Sequence, residues 1–125
     1  YIVGMWLTLQ QPEPDDYIFA TGQQYSVRDF IKEASCLCGF EIEWRGSGLD
    51  EIGFEKNTNR DLIKVDPSFF RPTEVDTLIG DPRKAKKILN WQAKTTFKEL
   101  VRLMMESDLK QVGLDPKNYI KPVGF

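Results

Sequence analysis

The sequence contains no histidine. That removes the imidazole base, the Ser-His and Cys-His nucleophilic pairs, and histidine-based zinc sites. Cysteine is nearly as scarce. Cys36 and Cys38 stand two apart, and on a helix such positions point to nearly opposite sides. They can neither bridge nor share one metal, and they read as reduced thiols of a cytosolic protein. Basic excess is also missing: 17 Lys and Arg against 19 Asp and Glu give a formal charge of −2. Nothing here would drive counterion release from a polyanion, so a nucleic-acid partner is not expected. The apolar runs last only a few residues, too short for a bilayer, and no signal peptide is visible. No glycine-rich dinucleotide fingerprint and no P-loop occur. The chain opens on Tyr1-Ile2-Val3-Gly4-Met5-Trp6 without an initiating methionine, which suits an interior cut and equally a processed or trimmed chain.

What is present is an ordinary globular composition over 125 residues, with 41% apolar and 29% charged side chains. The length predicts one domain with a modest core. Ile2, Met5, Trp6 and Leu9 keep helical spacing, and Pro12-Glu13-Pro14 stops that helix. Tyr17-Ile18-Phe19-Ala20 reads as a short buried strand. Ser26 is an N-cap with Asp29 three residues on, ahead of the stripe Val27, Phe30, Ile31, Ala34 and Leu37, and Gly39 ends that helix. Glu41-Ile42-Glu43-Trp44 alternates as a half-buried strand with Ile42 and Trp44 on one face. The stretch 46–59 is turn-rich and polar, and reads as a long loop. Leu62-Ile63-Lys64-Val65 is another strand, ended by Asp66-Pro67.

Asp81 is an N-cap candidate with Pro82 at the first helical position. Ala85, Ile88 and Leu89 form the buried side of that helix, and Asn90 closes it in a left-handed conformation. The last helix opens on a capping box, Thr96 with Glu99, and carries Phe97, Leu100, Val101, Met104 and Met105 on one face. Short strands alternating with helices predict an α/β fold, α+β-like in so small a domain.

Acid-base candidates by residue type are Asp66, Glu74, Asp76 and the tyrosines Tyr1, Tyr17, Tyr25 and Tyr119, none in a catalytic spacing. The pairs Asp15-Asp16 and Asp50-Glu51 read as solvated loops. Arg83, Lys84, Lys86 and Lys87 read as a solvated helix face. Arg71 and Glu74 stand apart. Arginine offers a planar fork that matches phosphate oxygens with two parallel hydrogen bonds. A carboxylate three residues on can accept from a ribose diol, and Pro72 between them limits the entropy lost on binding. A local ion pair at a turn is the alternative.

Phe70-Arg71-Pro72-Thr73-Glu74-Val75-Asp76, then Gly80-Asp81, Lys84-Ala85 and Leu89-Asn90-Trp91, closely resembles the GDP-mannose 4,6-dehydratase family. That family belongs to the extended short-chain dehydrogenases/reductases. The opening Met5-Trp6-Leu7 with Leu9-Gln10, Ala20-Thr21-Gly22, Ser26-Val27-Arg28 and Glu41-Ile42-Glu43-Trp44 match in order, so the resemblance runs from Tyr1 to about Leu109. The Asp81-to-Trp91 piece recurs across many extended relatives, whereas the Arg71-to-Glu74 motif is far more specific.

The resemblance implies a two-domain enzyme with NADP in an N-terminal Rossmann domain absent from this chain. Residues 1–11 would be the end of a connecting helix, 12–110 the C-terminal nucleotide-sugar-binding domain, and 111–125 an unassigned tail. It implies conversion of GDP-mannose to GDP-4-keto-6-deoxymannose and water, on the route to GDP-fucose. It also implies that Arg71 and Glu74 contact the diphosphate and ribose of the substrate. The catalytic threonine and glutamate and the Tyr-x-x-x-Lys pair of the family belong before Tyr1, and none of the tyrosines here has a lysine four residues on. The isolated chain is therefore expected to be inactive, with no catalytic, cofactor or metal residue of its own. The full-length enzyme is expected to be cytoplasmic and a dimer or tetramer, without a membrane partner. The apolar faces of the first and last helices are expected to need the preceding domain as cover. Two alternatives stay open: the substrate domain of another nucleotide-sugar epimerase or dehydratase, and a non-catalytic binding module.

Overall fold

A computed structural model describes residues 1–71, 73, 75 and 77–121. The chain divides into two units, Tyr1–Tyr25 with Val75–Thr96, and Ser26–Glu74 with Phe97–Phe125.

The first unit is built on two helices, α1 (Ile2–Leu9) and α3 (Arg83–Leu89). Helix α1 turns a narrow inner face towards its own unit. Gly4 is buried, and a Cβ there would come within 2.6 Å of the Phe19 ring. The stripe that defines the helix in sequence, Ile2, Met5, Trp6 and Leu9, lies exposed. Helix α3 supplies the core. Ala85 is fully buried, Leu89 and Trp91 nearly so, and Leu7, Tyr17, Phe19 and Ala93 pack around them. The Phe19 ring meets Trp91 edge-on at 4.8 Å. Asn90 takes the left-handed conformation at φ 50°, and the Trp91 N–H closes onto the Ala85 carbonyl at 3.3 Å, delivering Trp91 into the core.

Three expectations are corrected in this unit. Ile88, expected on the buried side of α3, is exposed, and only Ala85 and Leu89 of that stripe are buried. Helix α3 begins at Arg83 with Pro82 at its N-cap, one residue later than the sequence suggests. Asp81 still acts as the cap acceptor, because its carboxylate takes the Arg83 N–H at 3.0 Å. Tyr17-Ile18-Phe19-Ala20 is not a strand. It runs unpaired, with Phe19 on Gly4 and Ala20 on Gly80. Its apolar run reflects packing against helices, which needs no ladder partner.

The second unit joins helices α2 (Val27–Leu37) and α4 (Phe97–Gln111) to an antiparallel sheet in the order β1 (Ile42–Arg45), β2 (Ile52–Glu55), β3 (Asp61–Lys64). The capping box of α2 forms as the sequence predicts. Ser26 Oγ accepts the Asp29 N–H at 3.0 Å and Asp29 Oδ2 accepts the Ser26 N–H at 2.8 Å. Gly39 leaves the helix at φ 80°. Phe30 meets Phe97 edge-on at 6.4 Å where α2 packs on α4, and Val101 is fully buried. Val27, expected on the buried stripe, is exposed instead.

Strand β1 sits one residue later than expected, with Ile42 and Trp44 half-buried and Glu43 and Arg45 exposed. The larger correction concerns 46–59, which is not one loop. After a single turn at Gly48–Asp50 it forms β2, registered Ile42 with Glu55 and Arg45 with Ile52. The buried side of β2 carries Gly53 and Glu55, so glycine and a charge occupy the positions where apolar residues would have revealed a strand. The tail, unassigned from sequence, returns to this unit. Ile120 is buried, the Lys121 N–H donates to the Leu37 carbonyl at 2.8 Å, and Arg102 Nη2 donates to the Lys121 carbonyl at 2.7 Å.

No helix among the described residues is long and apolar enough to cross a membrane.

Candidate functional site

Arg71 is delivered by a pinned turn. Strand β3 ends at Lys64, and Asp66 then caps a single 3₁₀ turn at Pro67–Phe69. Its carboxylate accepts the Ser68 N–H at 2.9 Å and the Ser68 hydroxyl at 2.7 Å. Those bonds hold the Asp66 carboxyl below its ordinary range, so this acid-base candidate is an ionised cap and not a proton donor. The Phe69 N–H donates to the Asp66 carbonyl at 3.1 Å, and the Phe70 N–H to the Pro67 carbonyl at 3.3 Å. Phe70 is extended, at φ −71° and ψ 129°.

Arg71 follows, exposed, with no hydrogen bond or ion pair to another described residue. Arg28, Arg45, Arg83 and Arg102 by contrast each hold a carboxylate, on Glu51, Asp61, Asp81 and Glu106. Arg60 shares the unpaired state of Arg71 but lies in the β2–β3 turn. A guanidinium left unpaired at the end of an ordered turn is available to an anion from outside. Glu74 and Asp76, with Pro72, lie outside the described residues.

The remaining candidates are employed locally. Tyr17 lies under the Lys84 ammonium at 5.1 Å. The Tyr25 hydroxyl donates to Gln23 Oε1 at 2.9 Å. Tyr1 packs its ring on Trp91 at 5.6 Å, and Tyr119 stands half-exposed after the last 3₁₀ turn. Asp15 pairs with Lys84 at 2.5 Å, and that bond holds its carboxyl low. Glu51, read as a solvated loop residue, is taken by Arg28, which also lies 5.1 Å over the Trp44 ring. Cys36 and Cys38 are free thiols, and burial pushes Cys38 up from its ordinary value.

An open cleft of about 500 Å³ beside α3 is lined by Asp15, Asp81, Arg83, Lys84, Lys87 and Ile88. It contains none of the residues singled out for substrate. Its two carboxylates are already bound to Lys84 and Arg83, which leaves it without a converging polar set. The residue that sequence reasoning passed over is Phe69. It lies 82% exposed two positions before Arg71; the signal was an aromatic pair directly before the arginine, without an apolar partner period to bury it.

The family described as GDP-mannose 4,6 dehydratase matches residues 1–104. The chain is 45% identical over 116 residues to the GDP-mannose 4,6 dehydratase of Drosophila melanogaster, covering 93% of this chain and 29% of that protein. It is 44% identical over 112 residues to the one of Dictyostelium discoideum, covering 90% of this chain and 32% of that protein. With the one of Homo sapiens the identity is 42% over 116 residues, 93% of this chain and 31% of that protein. The chain thus spans about a third of the length of the curated relatives it matches. The chain belongs to the GDP-mannose 4,6 dehydratase family.

Proposed function

We propose that this chain is the substrate-gripping C-terminal part of a GDP-mannose 4,6-dehydratase, binding the nucleotide end of GDP-mannose and contributing nothing to the bond-making steps. The observation that carries the proposal is the presentation of Arg71: exposed, unpaired among the described residues, and fixed by the Asp66 turn, inside a stretch matched by the family. Diphosphate oxygens satisfy the guanidinium fork. Glu74 takes the ribose hydroxyls in this reading.

The reaction of the full-length enzyme converts GDP-mannose to GDP-4-keto-6-deoxymannose. The C4 alcohol becomes a ketone, water leaves across C5 and C6, and C6 is reduced, so the sugar undergoes no net redox change. NADP supplies the chemistry of carrying the hydride from C4 to C6. In this reading NADP is held by the rest of the full-length enzyme, and no residue of this chain is assigned to it. Arg71 and its surroundings act by holding the nucleotide end of the substrate still, which lets remote binding energy serve the reacting sugar. The isolated chain would be inactive, and the full-length enzyme a cytoplasmic homo-oligomer.

Replacing Arg71 in the full-length enzyme tests this. Arg71→Ala should raise the KM for GDP-mannose by at least about tenfold, the value of a charge-assisted bond, while NADP affinity stays unchanged. An unchanged KM would remove Arg71 from the site.

A further inference from the structure

The most exposed aromatic ring among the described residues is Phe69, at 82%, whereas Phe70 is 47% exposed. Large apolar rings bared singly are common, but this one is also held in place. The Asp66 cap and the Phe69 N–H bond to the Asp66 carbonyl fix its backbone. Nothing among the described residues covers it with another ring. A single extended residue, Phe70, separates it from Arg71. With Phe70 extended between them, the Cα atoms of Phe69 and Arg71 stand roughly 6–7 Å apart. The pinned backbone thus sets an exposed ring and an unpaired guanidinium within the reach of a single nucleotide.

We infer that Phe69 is the platform on which the nucleobase of the bound nucleoside diphosphate stacks, while Arg71 holds the phosphates. The inference rests on the reading of Arg71 given above and deepens it. Every base has a flat π-face, so a stacking ring contributes affinity without fixing base identity. Phe69 therefore answers for how tightly the nucleotide end is held, and the choice of guanine must come from polar groups elsewhere. The step is binding alone and makes or breaks no bond.

The full-length enzyme distinguishes the two ideas with two probes, GDP and inorganic pyrophosphate, measured as competitive inhibitors against GDP-mannose. Phe69→Leu should weaken GDP about tenfold, the size of one base–aromatic stack, and leave pyrophosphate unchanged, with Phe69→Tyr restoring GDP. Arg71→Ala should weaken both probes. If Arg71→Ala weakens both but Phe69→Leu leaves GDP untouched, or weakens both probes equally, the stacking role is overturned and Arg71 stands. If Arg71→Ala changes neither probe, the underlying reading fails instead. Should Phe69→Leu not fold, Phe69→Trp keeps the test open. Its added indole emission should change on GDP but not on pyrophosphate, and a silent indole overturns the inference.

Discussion

The two units hold themselves together by different means. In Tyr1–Tyr25 with Val75–Thr96, the order comes from close approach. A Cβ on Gly4 would collide with the Phe19 ring, and one on Gly80 would stand 2.6 Å from the Ala20 Cβ. The rings of Tyr1 and Phe19 close on Trp91. In Ser26–Glu74 with Phe97–Phe125, the order comes from directed polar contacts: the Ser26–Asp29 box, the Asp66 cap and the β2–β3 turn. There the buried Glu55 carboxylate accepts the Asn57 N–H at 3.1 Å, the Asn57 amide at 2.9 Å and the Thr58 N–H at 2.6 Å. The first unit should therefore answer chiefly to changes of volume, and the turns of the second to changes of charge. That division also suits the role proposed for Arg71, which belongs to the unit whose turns are fixed by hydrogen bonds and can aim a side chain.

The largest effect is expected where the close-packed unit is emptied. Trp91→Ala should lower stability by about 3–5 kcal/mol, read from the urea midpoint, and a loss below 1 kcal/mol would mean the core lies elsewhere. Filling it is next. Gly80→Ala should cost about 1–3 kcal/mol by overpacking, and Ala20→Gly in the same protein should recover most of it. Failure of the second change to rescue the first would break the steric account.

The smallest effect belongs to the polar unit and depends on pH. Bonds from the Thr58 and Asn57 side chains and amides hold Glu55 below its ordinary value of 4.5. A depressed carboxyl contributes stability that is present above 4.5 and lost as pH falls through the folded value. Glu55→Gln should therefore be less stable than the parent at neutral pH, with the gap closing below about pH 4.5. A gap independent of pH would assign the role of Glu55 to shape and not to charge.

The helices were legible because their ends carry chemistry. Ser26 with Asp29, Gly39 and Asn90 each name a backbone conformation that few other residues satisfy. The β2 strand was not legible, since Gly46 and Gly48 before it and Asn57 to Asn59 after it read as one polar excursion. Its buried face carries Gly53 and Glu55, the reverse of a hydrophobic alternation. Tyr17 to Ala20 misled in the other direction, because an apolar run records burial and says nothing of its partner. At the candidate site, the fork of Arg71 and the target proposed for it come from residue type and family resemblance. Its unpaired state and the exposure of Phe69 required the fold, because pairing and burial are decided by neighbours distant in sequence. Glu74 lies outside the described residues, and its ribose role remains an assignment by resemblance.

The proposed function of this chain turns on Arg71 as the diphosphate contact. The direct measurement is the steady-state kinetics of Arg71→Ala in the full-length enzyme, with NADP binding followed in parallel. The account predicts a KM for GDP-mannose raised at least about tenfold with NADP affinity unmoved. An unchanged KM, or a loss of NADP affinity equal to the loss of substrate affinity, would contradict it.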